Sequence, residues 1–322
     1  MDQRTARELA RMTGAFYAAV SASFSATRAH PWEGWQRVAE LAGIGTQAPG
    51  EQRPPEPAEA GIGEPREREH THGAQAAETQ ASEAQASHGA AGGLEPVQGE
   101  APDVRDRLRA LDLACGNLRF ERFLEAALAE AHDPRRLVAY AVDSCDALAD
   151  PRTVQAELHY QHLDLAELLL CPPLDTPLAP EPVELAVCFG FMHHLPLPEQ
   201  RVGLLDALVD ACAPGGVVAV SFWQLSHSPK LLAKAERTTA VARAAHGLDG
   251  LSPRDYLLGW QERDDVLRFA HDFSEAEVDE LAAAVADRAA ELARFSADGA
   301  TGDLNRYLVL RRRASSGGVG SA

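Results

Sequence analysis

A chain of 322 residues with 45% hydrophobic content is long enough to bury one sizeable core, and length alone permits one or two domains. Thirty Lys and Arg against forty-eight Asp and Glu leave a net charge of −18, a balance that opposes non-specific attraction to nucleic acid or anionic lipid. No CxxC pair, no Cys–His metal spacing and no long apolar run occurs, so a cytoplasmic protein with reduced thiols, no metal, no signal peptide and no membrane span is expected.

Residues 1–46 are expected to form a helical cap. Within it 4–42 read as two helices, the second opening after Pro31 with Trp32 and Trp35 on its first turns. Residues 47–102 are almost all Ala, Glu, Gln, Gly, Pro, Ser and His, without apolar periodicity, and read as a disordered insertion. Eleven acids and three bases fall within 51–103, leaving the remainder at −10.

From 103 to 313 the pattern alternates strand and helix. Leu108–Ala114 is a strand, Cys115-Gly116-Asn117 a tight turn, and Phe120, Phe123, Leu124, Ala127 and Leu128 mark a helix that stops near Asp133-Pro134. Leu137–Val142 is a strand ending at Asp143, a helix is expected next, and Leu158–Leu163 is a strand ending at Asp164. Val183–Phe189 is the fourth strand, and a helix carries Val202, Leu205, Val209 and Cys212. Pro214-Gly215-Gly216 then turns the chain into the strand Val217–Phe222. Residues 224–273 form a lid or substrate insertion. A helix Ser274–Ala289 follows, with a Ser274/Glu277 capping box. Strands Glu291–Ser296 and Asn305–Leu310 close the domain, order is expected to fail from Arg311, and 314–322 is a disordered tail. The whole reads as α/β: a Rossmann-like, seven-stranded, mostly parallel sheet with helices on both faces.

Ligands in such sheets bind beyond the carboxyl ends of the strands, where Gly116, Asp143, Asp164 and Phe189-Gly190 should converge. The first turn is neither GxGxxG nor a P-loop, which disfavours an NAD-dependent enzyme. Small residues there let a ligand approach the helix N-terminus, and Asp143 can accept from both ribose hydroxyls. Adjacent His193 and His194 on an extended segment would point to opposite sides, without a third ligand, so no metal site is expected.

The ordered set LDLACGNLRF, AVD, HLD, VELAVCFGFMHHLP and APGGVVAVSFW resembles the motifs of class I S-adenosylmethionine-dependent methyltransferases. That resemblance implies S-adenosyl-L-methionine as cofactor. It implies that Asp112, Ala114, Gly116 and Asn117 hold the methionine part, Asp143 and Ser144 the ribose, and Asp164 with Leu165 the adenine. Phe189, Phe191 and His193 would line the methyl-transfer site. Ala114 and Leu118 stand where many members carry glycine. A narrower resemblance joins Phe16-Tyr17, the segment Phe24 to Trp32 and the stretch Leu267 to Phe273, with Phe269 in place of Tyr, to the wobble-uridine tRNA methyltransferases, which esterify a carboxymethyl group on uridine. It implies that Arg28 meets the cofactor carboxylate, that Trp32 and Trp260 shape an acceptor pocket, and that His271 serves there as a base.

The function expected is methyl transfer to an oxygen or nitrogen nucleophile of a small molecule or a modified tRNA uridine. The alternative is an inactive, cofactor-binding partner subunit of another methyltransferase, and an active chain could itself need an activating partner. The clusters Arg105/Arg107/Arg109, Arg135-Arg136 and Arg311-Arg312-Arg313 are the candidates for RNA phosphate contact.

Overall fold

The computed structural model describes residues 1–45, 106–248, 250–261 and 263–314; the expected insertion 47–102 and nearly all of the tail lie outside them. In chain order the elements are α1 (Gln3–Ala26), α2 (Glu33–Leu41), β1 (Arg107–Leu113), α3 (Arg119–Glu130), β2 (Arg136–Asp143), β3 (Glu157–His162), α4 (Leu165–Leu168) and β4 (Val183–Cys188). Then follow α5 (Pro198–Ala211), β5 (Cys212–Trp223), α6 (Pro229–His246), β6 (Asp255–Trp260), β7 (Arg263–His271), α7 (Glu275–Ala284), β8 (Ala289–Ala297) and β9 (Asn305–Arg312).

Seven strands form one sheet in the order β3-β2-β1-β4-β5-β9-β8. Only β9 runs against its neighbours, so this is the expected Rossmann-like, mostly parallel sheet. Between β1 and β4 the chain reverses the direction in which it adds strands, and there the loops diverge and leave a crevice.

The two-residue period of the strands divides the core. Leu111, Leu113, Val142, Ala186, Val218 and Leu308 pack with α5 and α7 on one face. Leu108, Ala110, Ala139, Leu185, Val187 and Val309 pack with α2 and α3 on the other. Helices therefore cover both faces. The α1 helix presents Ala6, Leu9, Ala10, Thr13, Phe16 and Val20 as its buried stripe, the spacing of an amphipathic helix, and much of that stripe meets β7.

Several local expectations are corrected. Between β2 and β3 only a single 3-10 turn, Pro151–Thr153, forms, because Asp150-Pro151 interrupts any longer helix. Pro214-Gly215-Gly216 is not a turn between elements; β5 begins at Cys212 and carries the three residues within a register shift against β4. The last helix stops at Ala284, and β8 starts at Ala289, drawn into the sheet by pairing with Arg312. That pairing also keeps Arg311 and Arg312 in β9. The capping box is as expected: the Ser274 hydroxyl accepts from the Glu277 N–H at 3.3 Å, and the Glu277 carboxylate accepts from the Ser274 N–H at 2.9 Å. Residues 224–273 contain α6 and a separate hairpin of β6 and β7. Among the described residues no helix is long and apolar enough to cross a membrane.

Candidate functional site

The carboxyl ends of β1, β2, β4 and β5 open on a cavity of about 150 Å³, roofed by α1 and the connection from α1 to α2. Its floor is the turn after β1. Ala114, Gly116 and Leu118 hold φ of 61°, 57° and 57°, so the two positions where glycine would be easiest carry side chains in left-handed backbone, at roughly 1 kcal/mol each. Asp143 holds this turn in shape. Its carboxylate accepts from the Gly116 N–H and the Cys145 N–H, both at 2.8 Å, and each oxygen keeps a lone pair for a ligand hydroxyl. Asp164 caps α4 by accepting from the Glu167 N–H at 3.1 Å.

The roof is strapped to the floor. Asn117 donates to the Arg28 carbonyl at 3.3 Å, and Arg119 donates to the His30 carbonyl at 2.8 Å. The Arg119 guanidinium lies 5.3 Å from the Trp32 ring and 4.8 Å from that of Trp35. Trp32 covers Gly190, where a Cβ would come within 3.0 Å of the indole.

Of the residues singled out from the sequence, Arg28, Trp32, Asp112, Ala114, Gly116, Asn117, Asp143, Ser144, Asp164, Leu165, Phe189 and Phe191 all line this one cavity. Trp260, His193 and His271 do not. Trp260 packs one layer outside it, against Phe24 and with its indole N–H donating to Ser23 at 3.1 Å. His193 is buried and stacked on Trp223 at 3.9 Å, with neither ring nitrogen bonded. His271 is locked between two acids, with Nδ1 2.7 Å from Asp255 and Nε2 2.7 Å from Glu277, so no nitrogen is left to take a proton from an acceptor. The expected opposition of His193 and His194 is also overturned. They sit in a 3-10 turn, Met192–His194, with ring centroids 4.1 Å apart.

The neighbour, His194, is the histidine that reaches the cavity. Its Nδ1 faces the Phe269 carbonyl and its Nε2 lies 2.8 Å from the Tyr17 hydroxyl. A carbonyl can only accept, so Nδ1 carries the proton, and Nε2 accepts from Tyr17. Burial pushes His194 down to about 3, which leaves it a neutral spacer rather than a base near pH 7.

Sequence reasoning also missed Arg119, Trp223 and Arg268 as lining residues. Arg268 is 5% exposed, with Nε and Nη1 unpartnered. Its guanidinium lies 4.7 Å from the Phe16 ring and 5.4 Å from that of Trp223. Burial lowers the pKa of Arg28, of Arg268 and of Arg119, the last to about 10, and Arg28 is lowered further by Arg268 and itself lowers Arg119. Three like charges thus face one cavity. The signal available in the sequence was an arginine inside the apolar run Val266–Ala270.

Opposite the arginines stand carboxyls. Burial, then the neighbouring Glu121, holds Asp112 well above the usual carboxylate range, and burial raises Asp143 against the pull of its backbone donors.

The arginine clusters considered for RNA gather elsewhere. Arg107 and Arg136 open β1 and β2 side by side, and the reversed β9 brings Arg311 and Arg312 to that same end of the sheet. The strands put that edge about 20 Å from the cavity. Arg109 is engaged by Glu181 and Glu184, Arg135 by Asp133, and Arg311 by the Gly215 and Leu41 carbonyls. Arg105 lies outside the described residues.

No protein-family model matches the sequence, and no curated protein matches it significantly. Among solved structures, the chain is similar to an S-adenosylmethionine-dependent methyltransferase of Methanosarcina mazei at 13% identity and a TM-score of 0.45, covering 66% of this chain and 98% of that one. It is similar to the N-methyltransferase NodS of Bradyrhizobium japonicum at 14% and 0.35, covering 64% and 86%. The 1,6-didemethyltoxoflavin-N1-methyltransferase of Burkholderia thailandensis gives 14% and 0.38, covering 66% and 73%. At such identities and scores the likeness adds nothing to the fold, which stands on strand order and register.

Proposed function

We propose that the chain is an S-adenosyl-L-methionine-dependent methyltransferase whose acceptor is an already ionised oxygen, foremost the carboxylate of a small molecule. The cofactor reading is supported by the fit of one cavity to its parts. The Asp143 carboxylate has lone pairs free for two ribose hydroxyls, Asp164 and Leu165 stand where an adenine would lie, and Arg28 offers a guanidinium to a carboxylate. The strapped turn with Ala114 and Leu118 keeps the left-handed shape that glycine would adopt, which supports cofactor binding by this turn despite the substitutions. When bound, the cofactor supplies a methyl group on a sulfonium, activated for displacement without further chemistry from the protein.

The observation that carries the acceptor reading is Arg268. A guanidinium 5% exposed with two unpartnered nitrogens, lining the cavity, matches an anion, because an uncompensated buried charge is costly and a bidentate oxyanion satisfies its fork. Tyr17 and His194 reinforce the point from the other side. The Tyr17 proton is committed to His194, and His194 holds its own proton toward the Phe269 carbonyl, so no group at that end is poised to deprotonate a neutral nucleophile. A carboxylate needs no base. The protein's contribution is then to desolvate and align the acceptor oxygen, with Trp223 and Phe191 excluding water.

A small acceptor is favoured over tRNA because the basic clusters sit at the far edge of the sheet and are largely paired within the fold. The test is transfer of labelled methyl from S-adenosylmethionine to tRNA and to small metabolites, with mild alkali to identify esters by release of methanol. Mass spectrometry of both pools from cells with and without the gene identifies the product. Alkali-stable label sinks the carboxylate reading; alkali-labile label confined to tRNA restores the wobble-uridine reading.

A further inference from the structure

A glycine stands inside the roof helix. Gly14 lies in the middle of the 24-residue α1, where glycine is less favourable than alanine because more backbone freedom is lost on folding. Packing within the protein does not require it: a Cβ at this position would meet nothing within 4 Å. Yet Gly14 lines the cavity while remaining exposed, so it stands at the mouth, between the ligand space and solvent. The register of α1 locates that part of the mouth. Gln3 donates to the Leu170 carbonyl at 3.2 Å, Arg7 donates to Glu167 at 2.8 Å, and Ala10 shares an apolar cluster with Leu165 and Ala166. The two segments therefore run in opposite directions, one helical turn of α1 per step. Continued by one more turn, this register sets Gly14 against Asp164 and Leu163, both of which line the cavity. Gly14 follows Arg7 by two helical turns, so a side chain there would project as Arg7 does, toward that rim.

We propose that Gly14 is a cofactor-binding residue: it keeps open the slot between α1 and the segment 163–165 in which the adenine base is seated. The inference rests on the cofactor reading above and deepens it, by naming the wall that faces Asp164 and Leu165 across the base. A purine is flat, so a wall without a side chain lets it lie close to the helix backbone. Its polar edge then meets Asp164 on the inner side and water at the mouth. The other positions that α1 turns to the cavity, Ala10, Thr13 and Tyr17 among them, all carry side chains, so the gap is confined to this rim. Stability and binding ask for different residues here. The helix favours alanine or leucine, whereas the slot favours glycine, because each added carbon occupies space the base needs.

The test is calorimetry of the full-length protein with S-adenosylhomocysteine and with 5′-methylthioadenosine, which keeps the nucleoside and lacks the ammonium and carboxylate groups. Thermal unfolding without ligand is measured beside it, for the wild type, Gly14→Ala, Gly14→Leu and Ala18→Leu. Ala18 is the exposed position one turn further along α1 and lies outside the cavity lining. The expected result for Gly14→Ala and Gly14→Leu is an unfolding midpoint raised by about 2–4 °C. The Kd for both ligands should rise roughly tenfold or more in Gly14→Leu, less in Gly14→Ala, and stay unchanged in Ala18→Leu. An unchanged affinity of Gly14→Leu for methylthioadenosine overturns the inference while leaving the cofactor reading intact. Weaker binding with a lowered midpoint also overturns it, since the roof has then been distorted rather than the slot filled, and so does an equal loss in Ala18→Leu. If the wild type binds neither ligand, the cofactor reading falls and takes this inference with it.

Discussion

Replacing Arg268 by Met separates a functional cation from a structural one, because the two roles predict opposite signs. In the folded chain Arg268 carries unpartnered Nε and Nη1 atoms at 5% exposure. Exchanging buried charge for an apolar side chain of similar length is commonly neutral or stabilising, by about 1–4 kcal/mol. Against that gain stands the loss of cation–π contact with Phe16 and Trp223, on the order of 0.5–2 kcal/mol. The net expectation is a stabilisation of about 1 kcal/mol, or a rise of about 2–4 °C in the unfolding midpoint. Activity should move the other way. A charge-assisted hydrogen bond to the acceptor is worth about 1.5–3 kcal/mol, a loss of roughly ten- to a hundredfold in kcat/KM for ester formation. Urea and thermal unfolding of both proteins, with kcat/KM on the acceptor identified by the labelling experiment, give the two numbers. A lowered midpoint with unchanged turnover would refute the reasoning and make Arg268 a structural residue.

Asp143→Ala should weaken S-adenosylmethionine binding by about 1–3 kcal/mol; it also frees the Gly116 and Cys145 N–H groups. An unchanged calorimetric Kd means the pocket is misplaced. Gly34→Ala puts a Cβ 2.4 Å from the buried Tyr307 ring, whose hydroxyl donates to Asp298 while the Gly34 N–H donates to the same residue. Overpacking there should cost about 1–3 kcal/mol in urea unfolding and loosen the strap that carries Trp32; wild-type stability contradicts the packing. The pH dependence follows from Glu121, raised from 4.5 to about 8 by burial. The unfolded chain loses this proton at its ordinary pKa while the folded chain keeps it, so the stabilising contribution is complete below about 4.5 and is lost as pH rises toward 8. Unfolding midpoints between pH 5 and 8 should therefore fall more steeply for the wild type than for Glu121→Gln, and parallel slopes would contradict the assignment.

Much of this protein was legible in one dimension. The strand segments at Leu108, Leu137, Leu158, Val183 and Val217 with helical spacing between several of them specify a parallel sheet, because two-residue and 3.6-residue periods are local properties of the chain. Strand ends are equally local, so Gly116, Asp143, Asp164 and Phe189-Gly190 could be assigned to a shared edge, and they do share one cavity. The short connection before β3, the bulged start of β5 and the hairpin of β6 and β7 were not legible, since they depend on register against partners distant in sequence. The same limit explains the histidines. Which of His193 and His194 meets the cavity is a question of parity in a 3-10 turn, and whether His271 is free depends on Asp255 and Glu277 arriving from β6 and α7. Glu121 looks like an ordinary surface charge in the sequence, and Arg268, though set in an apolar run, shows nothing there of what surrounds it. Only the packing of α1 over β7, and of α3 against the first turn, strips them of water and partners, and the withdrawal of solvent turns a common charged residue into a chemical determinant.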